Sequence, residues 1–363
     1  MDQSPETTPT PQRTPQSAAR NRPRPRTDWA GLKADLRSAV PDATAALVVT
    51  AVIYAVLYVR VDAGTSMTLD VMPFLADADE YWMYWLCQAF GWSAMLWAWI
   101  TTLFGLLRSS SRWSRMPVGH ARIERWHRTT SLTTIGLMFA HAFMFFAELV
   151  RQNEEGLGRA DLLVSAFVDV FVPGGYATGT GQVAILLGLI AFYLAIPLGL
   201  AYYFRARTGA RLWRVLHRFI LVVYVLSVWH TLLYGTNVWF DGWFRTIVWA
   251  LQVPVAALLL ARLLAPARPS ERLRLRDPAT RPRPLPAAAR LGGRIAVAIG
   301  VVVLLGVTFT GRDGGRTPGA EAGEMAVGEG MVWAGLVLLL LVVAAAVYVV
   351  RRDVRPARST ADG

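Results

Sequence analysis

The chain contains five histidines, and four of them lie inside two long apolar segments. His127 and His141 sit in HRTTSLTTIGLMFAHAFMFFAELV, and His217 and His230 in LWRVLHRFILVVYVLSVWHTLLYG. An ionisable side chain within a hydrocarbon layer is costly, and it marks a functional position with a partner to be found. His127 and His141 are 14 residues apart, roughly 21 Å along a helix, and His217 and His230 are 13 apart, roughly 19.5 Å. When both segments cross in the same direction, the first histidines share one depth and the second histidines another. The spacing therefore pairs His127 with His217 and His141 with His230. Two neutral imidazoles facing each other can hold an octahedral haem iron from both sides, and two such pairs stacked across a bilayer form a path for electrons.

Other readings of these histidines compete. A lone intramembrane histidine often serves as an interhelical hydrogen-bond donor. Zinc takes about four ligands around one ion, unlike two pairs some 20 Å apart. Four histidines at matched depths favour ligation of two haems. The angular match is uneven, however. At 100° per residue a 14-residue step returns to within about 40°, whereas a 13-residue step lands about 140° away. Either the second segment is locally distorted, around Val222 to Leu226, or its two sites are approached from different azimuths.

The elements that must position these residues are membrane helices. The chain has 363 residues, 54% of them hydrophobic, with 14 Trp and a mean hydropathy of +0.37. Its apolar runs of about 20 residues match the thickness of a bilayer core, which excludes a water-soluble enzyme. Spans are expected at about 43–61, 81–107, 128–149, 182–204, 213–234, 246–265, 291–310 and 331–350. The connecting loops alternate in charge. Arginine-rich stretches precede the first span and follow the second, fourth, sixth and eighth, while acidic or sparsely charged loops lie between. By the positive-inside rule this predicts eight transmembrane helices with both termini cytoplasmic. The net charge of +12 is thereby explained by orientation signals, and no nucleic-acid partner is expected. Lys33 is the only lysine, an arginine bias that accords with a bacterial source and hence a multi-pass protein of the plasma membrane.

The predicted fold class is an all-α membrane protein, with a six-helix haem-binding bundle and a C-terminal two-helix hairpin. Residues 1–41, rich in Pro, Thr and Arg, read as a disordered basic cytoplasmic tail that can touch anionic lipid. Residues 42–265 form the six-span di-haem core, 266–290 a Pro/Arg-rich linker, 291–350 the hairpin and 351–363 a basic cytoplasmic tail. The stretch 161–172 is too short to span and reads as an interfacial helix on the outer face, with a lid as a further role. The following PGGYATGTG lacks a nucleotide-binding pattern and reads as a loop. Cys87, the single cysteine, excludes an intrachain disulfide and a cysteine-held iron–sulfur cluster. His120 lies among arginines and reads as a solvated loop residue.

The combination Trp126-His127-Arg128 with His141, and Trp213-x-x-x-His217-Arg218 with Tyr224 and His230, resembles the ferric reductase-like transmembrane domain group. That group includes ferric reductases, NADPH oxidases and the haem-binding membrane subunit of the bacterial methionine sulfoxide reductase system. The resemblance covers roughly residues 43–265. It implies two b-type haems, an inner one on His127 and His217 and an outer one on His141 and His230. Arg128 and Arg218, with Arg125 and Arg214 behind them, are candidates to neutralise inner propionates, although each also fits the ordinary cytoplasmic arginine pattern. Asn237 and Arg245 are candidates at the outer end. Tyr224 falls midway between His217 and His230, where it is either a bridge between the haems or a core aromatic.

In ferric reductases and NADPH oxidases a flavin and nicotinamide module follows the sixth span. Fewer than 100 residues follow it here, and two further spans use much of them. The expectation is an oxidoreductase component without its own flavin domain, drawing electrons from a separate cytoplasmic reductase or a quinol. Flavin then enters only through a partner. Outward electron transfer runs with the membrane potential, which predicts an extracytoplasmic acceptor. The alternative is a non-redox transporter or assembly scaffold with packing histidines. Pro197 and Pro254, each inside a span, keep that alternative open.

Overall fold

The computed structural model describes residues 27–109, 118–177, 181–264, 284–310 and 327–354. The expected tail over 1–26, most of the Pro/Arg linker and the last residues, 355–363, lie outside the described residues. So does 178–180 of the Gly-rich loop. Among the described residues every regular element is a helix. Seven helices are long and apolar enough to cross a membrane, and the apolar stretch Leu291–Gly306 forms a shorter one.

In chain order the helices are α1 (Trp29–Ser38), α2 (Val40–Asp62), α3 (Trp82–Ser109), α4 (His120–Gln152), α5 (Arg159–Phe171) and α6 (Gly181–Leu200). They continue as α7 (Arg205–Thr208), α8 (Ala210–Arg218), α9 (Ile220–Tyr234), α10 (Trp243–Ala250), α11 (Gln252–Leu264), α12 (Pro284–Thr310) and α13 (Glu329–Val354). Residues 43–59 of α2 carry no charge, while Asp42 in its first turn and Arg60 in its last suit the helix macrodipole. Trp97 Nε1 on α3 donates to Asp42, and Thr50 donates to Ser93 at 2.8 Å, so α2 lies along α3. Four threonines of α4, Thr129, Thr130, Thr133 and Thr134, return their hydroxyls to carbonyls three or four residues back. That satisfaction within the helix lets a polar run sit inside an apolar bundle. α4 ends where Asn153 takes a left-handed conformation (φ 41°).

α3 and α4 run antiparallel along one another, and α6 and α9 form the facing pair. α6 is the central helix, with Ala191 and Ala195 fully buried against Val223 of α9. The segment expected at the interface is α5. Ala166 and Val170 face the bundle while Leu163, Val164 and Phe167 are exposed, and the Phe171 carbonyl accepts from Tyr193 at 2.5 Å.

Several expectations need correction. Residues 29–38 are helical, not part of a disordered tail, because Asp28 caps Gly31 N–H and Asp35 is drawn inward to Arg128 and Tyr203. His120 is exposed as expected, but it opens α4 and does not lie in a loop. The last residues assigned to the linker, 284–290, are the first turns of α12. The two C-terminal helices also do not stand apart as a hairpin. Val301 and Leu304 of α12 share a buried cluster with Tyr224, Val228 and Val255, while Val332 of α13 packs with Val183, Leu186 and Leu233. Both helices therefore complete the core. The physical reason is that α6, α9 and α11 are apolar on faces the six-span bundle leaves uncovered.

Candidate functional site

The four histidines point into the space between the α3–α4 pair and the α6–α9 pair. The imidazole centroids of His127 and His217 are 5.9 Å apart with ring planes at 78°. Those of His141 and His230 are 6.0 Å apart at 74°. His120 takes no part in either pair.

Each ring is held by a backbone carbonyl on the neighbouring helix. His127 Nδ1 lies 3.0 Å from Thr101 O and His141 Nδ1 2.8 Å from Cys87 O, both on α3. His230 Nδ1 lies 2.7 Å from Ala184 O and His217 Nδ1 3.4 Å from Leu198 O, both on α6. A carbonyl oxygen can only accept, so in each case Nδ1 carries the proton and Nε2 keeps its lone pair. Two metal–nitrogen bonds of about 2 Å, plus the reach from nitrogen to ring centre, separate facing imidazole centroids by about 6 Å. Both pairs have that separation. The donor set and its spacing thus fit an iron held between two imidazoles, and the backbone carbonyls fix the orientation and the proton of each ring, as metal-bound histidines require.

Three glycines make these contacts possible. Gly91, Gly105 and Gly188 each stand four residues after the carbonyl that holds a histidine. A Cβ at Gly91 would lie 3.0 Å from His141 Nδ1, one at Gly105 3.0 Å from His127 Cε1, and one at Gly188 2.8 Å from His230 Nδ1. In a helix, the side chain four residues on flanks the carbonyl of residue i, so removing it opens the oxygen to a neighbouring ring. The fourth site lacks this device. Tyr202 stands four residues after Leu198, and the Leu198 contact is the longest of the four. Gly91 and Gly105 are 14 apart, as His127 and His141 are. That matched interval was present in the sequence and could have flagged the glycines.

The 13-residue interval is absorbed by a break at Phe219. Phe219 N–H bonds Leu216 O and Val222 N–H bonds Phe219 O, a tighter turn between α8 and α9. About four residues at 120° instead of 100° each add roughly 80°, which reduces the mismatch from about 140° to about 60°. The distortion thus lies just before the Val222–Leu226 stretch where it was expected. No glycine or proline marks it.

Aromatic rings close both ends. Trp213, four residues before His217, stacks on it at 5.9 Å and 25°. Tyr234, four residues after His230, stacks at 6.3 Å and 26°. The Trp213 indole N–H is buried and has no hydrogen-bond partner among the described residues, and Arg128 Nε shares that state although it lies 3.4 Å from Asp35 Oδ2. Arg128 also donates to Tyr202 at 3.2 Å, and Arg218 is exposed at the end of α8. At the outer end Asn237 donates to Gln88, next to Cys87, and Arg245 pairs with Asp241. Tyr224 faces away from the site. Its hydroxyl bonds Gln252 of α11 at 2.5 Å and its ring packs with Met95 and Val228, as a core aromatic does. No group of three or more His, Cys, Asp and Glu side chains occurs among the described residues, which leaves a zinc-like cluster without ligands.

The fold and the paired histidines define a multi-pass helical membrane protein with two intramembrane imidazole sites. Residues 90–228 match the family model described as ferric reductase like transmembrane component, the group that the histidine motif resembles. The match takes in His127, His141 and His217 with all three glycines, and ends two residues before His230. No curated protein and no solved structure matches the chain. The family match supports transmembrane electron transfer in general.

Proposed function

We propose that this protein is a di-haem b-type electron carrier that passes electrons from a cytoplasmic-side donor to an extracytoplasmic acceptor. The observation that carries the reading is the pair of neighbouring imidazoles, twice repeated, each with Nδ1 committed to a carbonyl and Nε2 left with its lone pair. His127 and His217 hold the inner haem, and His141 and His230 the outer. Each bound haem would supply a one-electron ferric–ferrous couple. The chain's own part is to fix both ligands, keep them neutral and shield the path from water. Arg128, Arg218 and the Trp213 N–H, which has no partner among the described residues, offer donors to inner carboxylates, and the charge of the two guanidinium groups favours an anionic group there.

In this reading all eight apolar segments cross the plasma membrane and both termini are cytoplasmic. The donor is a separate reductase or a quinol. Outward transfer is favoured by up to about 2.3 kcal/mol per 100 mV of membrane potential. Purified protein should show a b-type Soret and α-band with two haems per chain. A colourless protein after expression with ample haem would sink the proposal. Sealed vesicles loaded with reductant should reduce an impermeant acceptor outside. Failure of that assay with full haem loading would remove the direction and leave the haems.

A further inference from the structure

An ion pair ties α1 to Arg128, the residue after His127, and among the described residues no such ion pair is seen beside the outer pair. Asp35 is the buried carboxylate of α1, 9% exposed. Its Oδ2 accepts from the Tyr203 hydroxyl at 2.9 Å and lies 3.4 Å from Arg128 Nε. A second tie holds the start of the helix: Asp28 pairs with Arg205 at 3.1 Å, and its N–H donates to Tyr203 O at 3.0 Å. Burying a carboxylate is unfavourable unless it is paired, and here the pairing sets the rotation of the helix. Trp29 and Leu36 of the same helix are left 59% and 50% exposed, so the rest of the protein does not bury its large apolar side chains.

The contacts continue to His217. Arg128 adjoins His127 in the chain. It also bonds Tyr202, whose ring makes an edge contact with Trp213 at 5.6 Å, and Trp213 stacks on His217. Resting on the haem reading above, we infer that Asp35 is a positioning residue of the inner site. It orients the Arg128 guanidinium and supplies the negative charge that offsets it beside His127, with α1 as the strap that delivers this charge. Without Asp35, the net charge next to the inner pair rises by one unit, which favours the reduced state there. In a partly buried site a unit charge is worth about a tenfold change in equilibrium, or about 59 mV upward for one electron. The outer pair, about 20 Å away, should not respond.

The test is a potentiometric titration of the full-length, haem-loaded protein in lipid nanodiscs. D35N should raise the inner midpoint by the equivalent of about tenfold and leave the outer one unchanged. D35E should restore the wild-type value. Y203F removes a bond to Asp35 without changing charge and should move the inner midpoint far less. An unmoved inner midpoint in D35N, or equal shifts in D35N and Y203F, overturns the inference. Trypsin cleavage after Lys33 and Arg37 in the same full-length protein gives a second readout, slow in wild type and about tenfold faster in D35N, once the strap is released. Equal cleavage rates in D35N overturn the strap. A wild-type protein lacking two haem signals would instead sink the di-haem reading, and the cleavage rates would still decide the strap.

Discussion

The inner and outer histidine pairs reach the same ring separation, 5.9 and 6.0 Å, by different means. At the outer pair both rings sit close to their carbonyls, at 2.8 and 2.7 Å, and both are backed by glycine. Cys87 adds a thiol donor to His141 O at 3.3 Å, so the two residues bond each other in both directions. At the inner pair only His127 has this arrangement. His217 lies at the end of α8, beside a break, with a 3.4 Å contact and tyrosine where the others have glycine. Leu198, its acceptor, sits in the last turn of α6, directly after Pro197. The outer site is fixed by helix packing. The inner one is fixed by packing on one side and by side-chain contacts from Trp213, Arg128 and α1 on the other. The same ligand geometry can thus be rigid at one depth and dependent on a surface element at the other.

This contrast can be broken most directly at the ligands. His141→Ala or His230→Ala should lower haem from two to one per chain and leave the inner signal, while His127→Ala or His217→Ala should do the reverse. A pyridine haemochrome assay with potentiometry distinguishes the two outcomes, and loss of both haems in either class would contradict independent sites. The next effect is steric. Gly188→Ala places a Cβ 2.8 Å from His230 Nδ1, between helices that cannot easily part. It should cost about 1–3 kcal/mol of stability and much of the outer haem. Gly199→Ala, which meets only the end of Ile135 and Ser131, is the control and should keep both haems.

Cys87→Ser should have a smaller effect. The thiol contact is weak, the carbonyl remains, and a change under about 1 kcal/mol with full haem occupancy is expected from thermal unfolding. The smallest effect lies on the outer rim. Burial, with Glu155 nearby, holds the Asp169 carboxyl of α5 above its usual range. A raised carboxylate pKa favours the protonated form in the fold. Its contribution is full below the unfolded value near 3.8 and is lost as pH rises through the raised one. Asp169→Asn should flatten the fall in stability above about pH 4 in melting curves. Because Asp169 is largely solvated, the change should be slight.

Much of this was legible in the residue order. Intramembrane histidines announce themselves because an ionisable side chain in an apolar run is costly, and their intervals fix two depths through helical rise alone. The 14-residue interval of α4 translated directly into a shared face. The matching interval of Gly91 and Gly105 carried the same information, but it reads as two ordinary glycines until His127 and His141 are set against α3. The spacing left a distortion around Val222 to Leu226 as one of two alternatives, and the break falls a little earlier, at Phe219, where no proline or glycine signals it.

Hydropathy, loop charge and histidine spacing determined by themselves that this is a helical membrane protein with two candidate imidazole pairs, because helix pitch and the cost of burying charge act locally along the chain. Tertiary structure alone decided which carbonyls hold the rings, that α12 and α13 close the core, and that α1 is a strap. Those outcomes depend on which faces of distant segments meet. Asp35 looks like any acidic residue of a basic tail until Arg128 and Tyr203, far away in the chain, are folded against it.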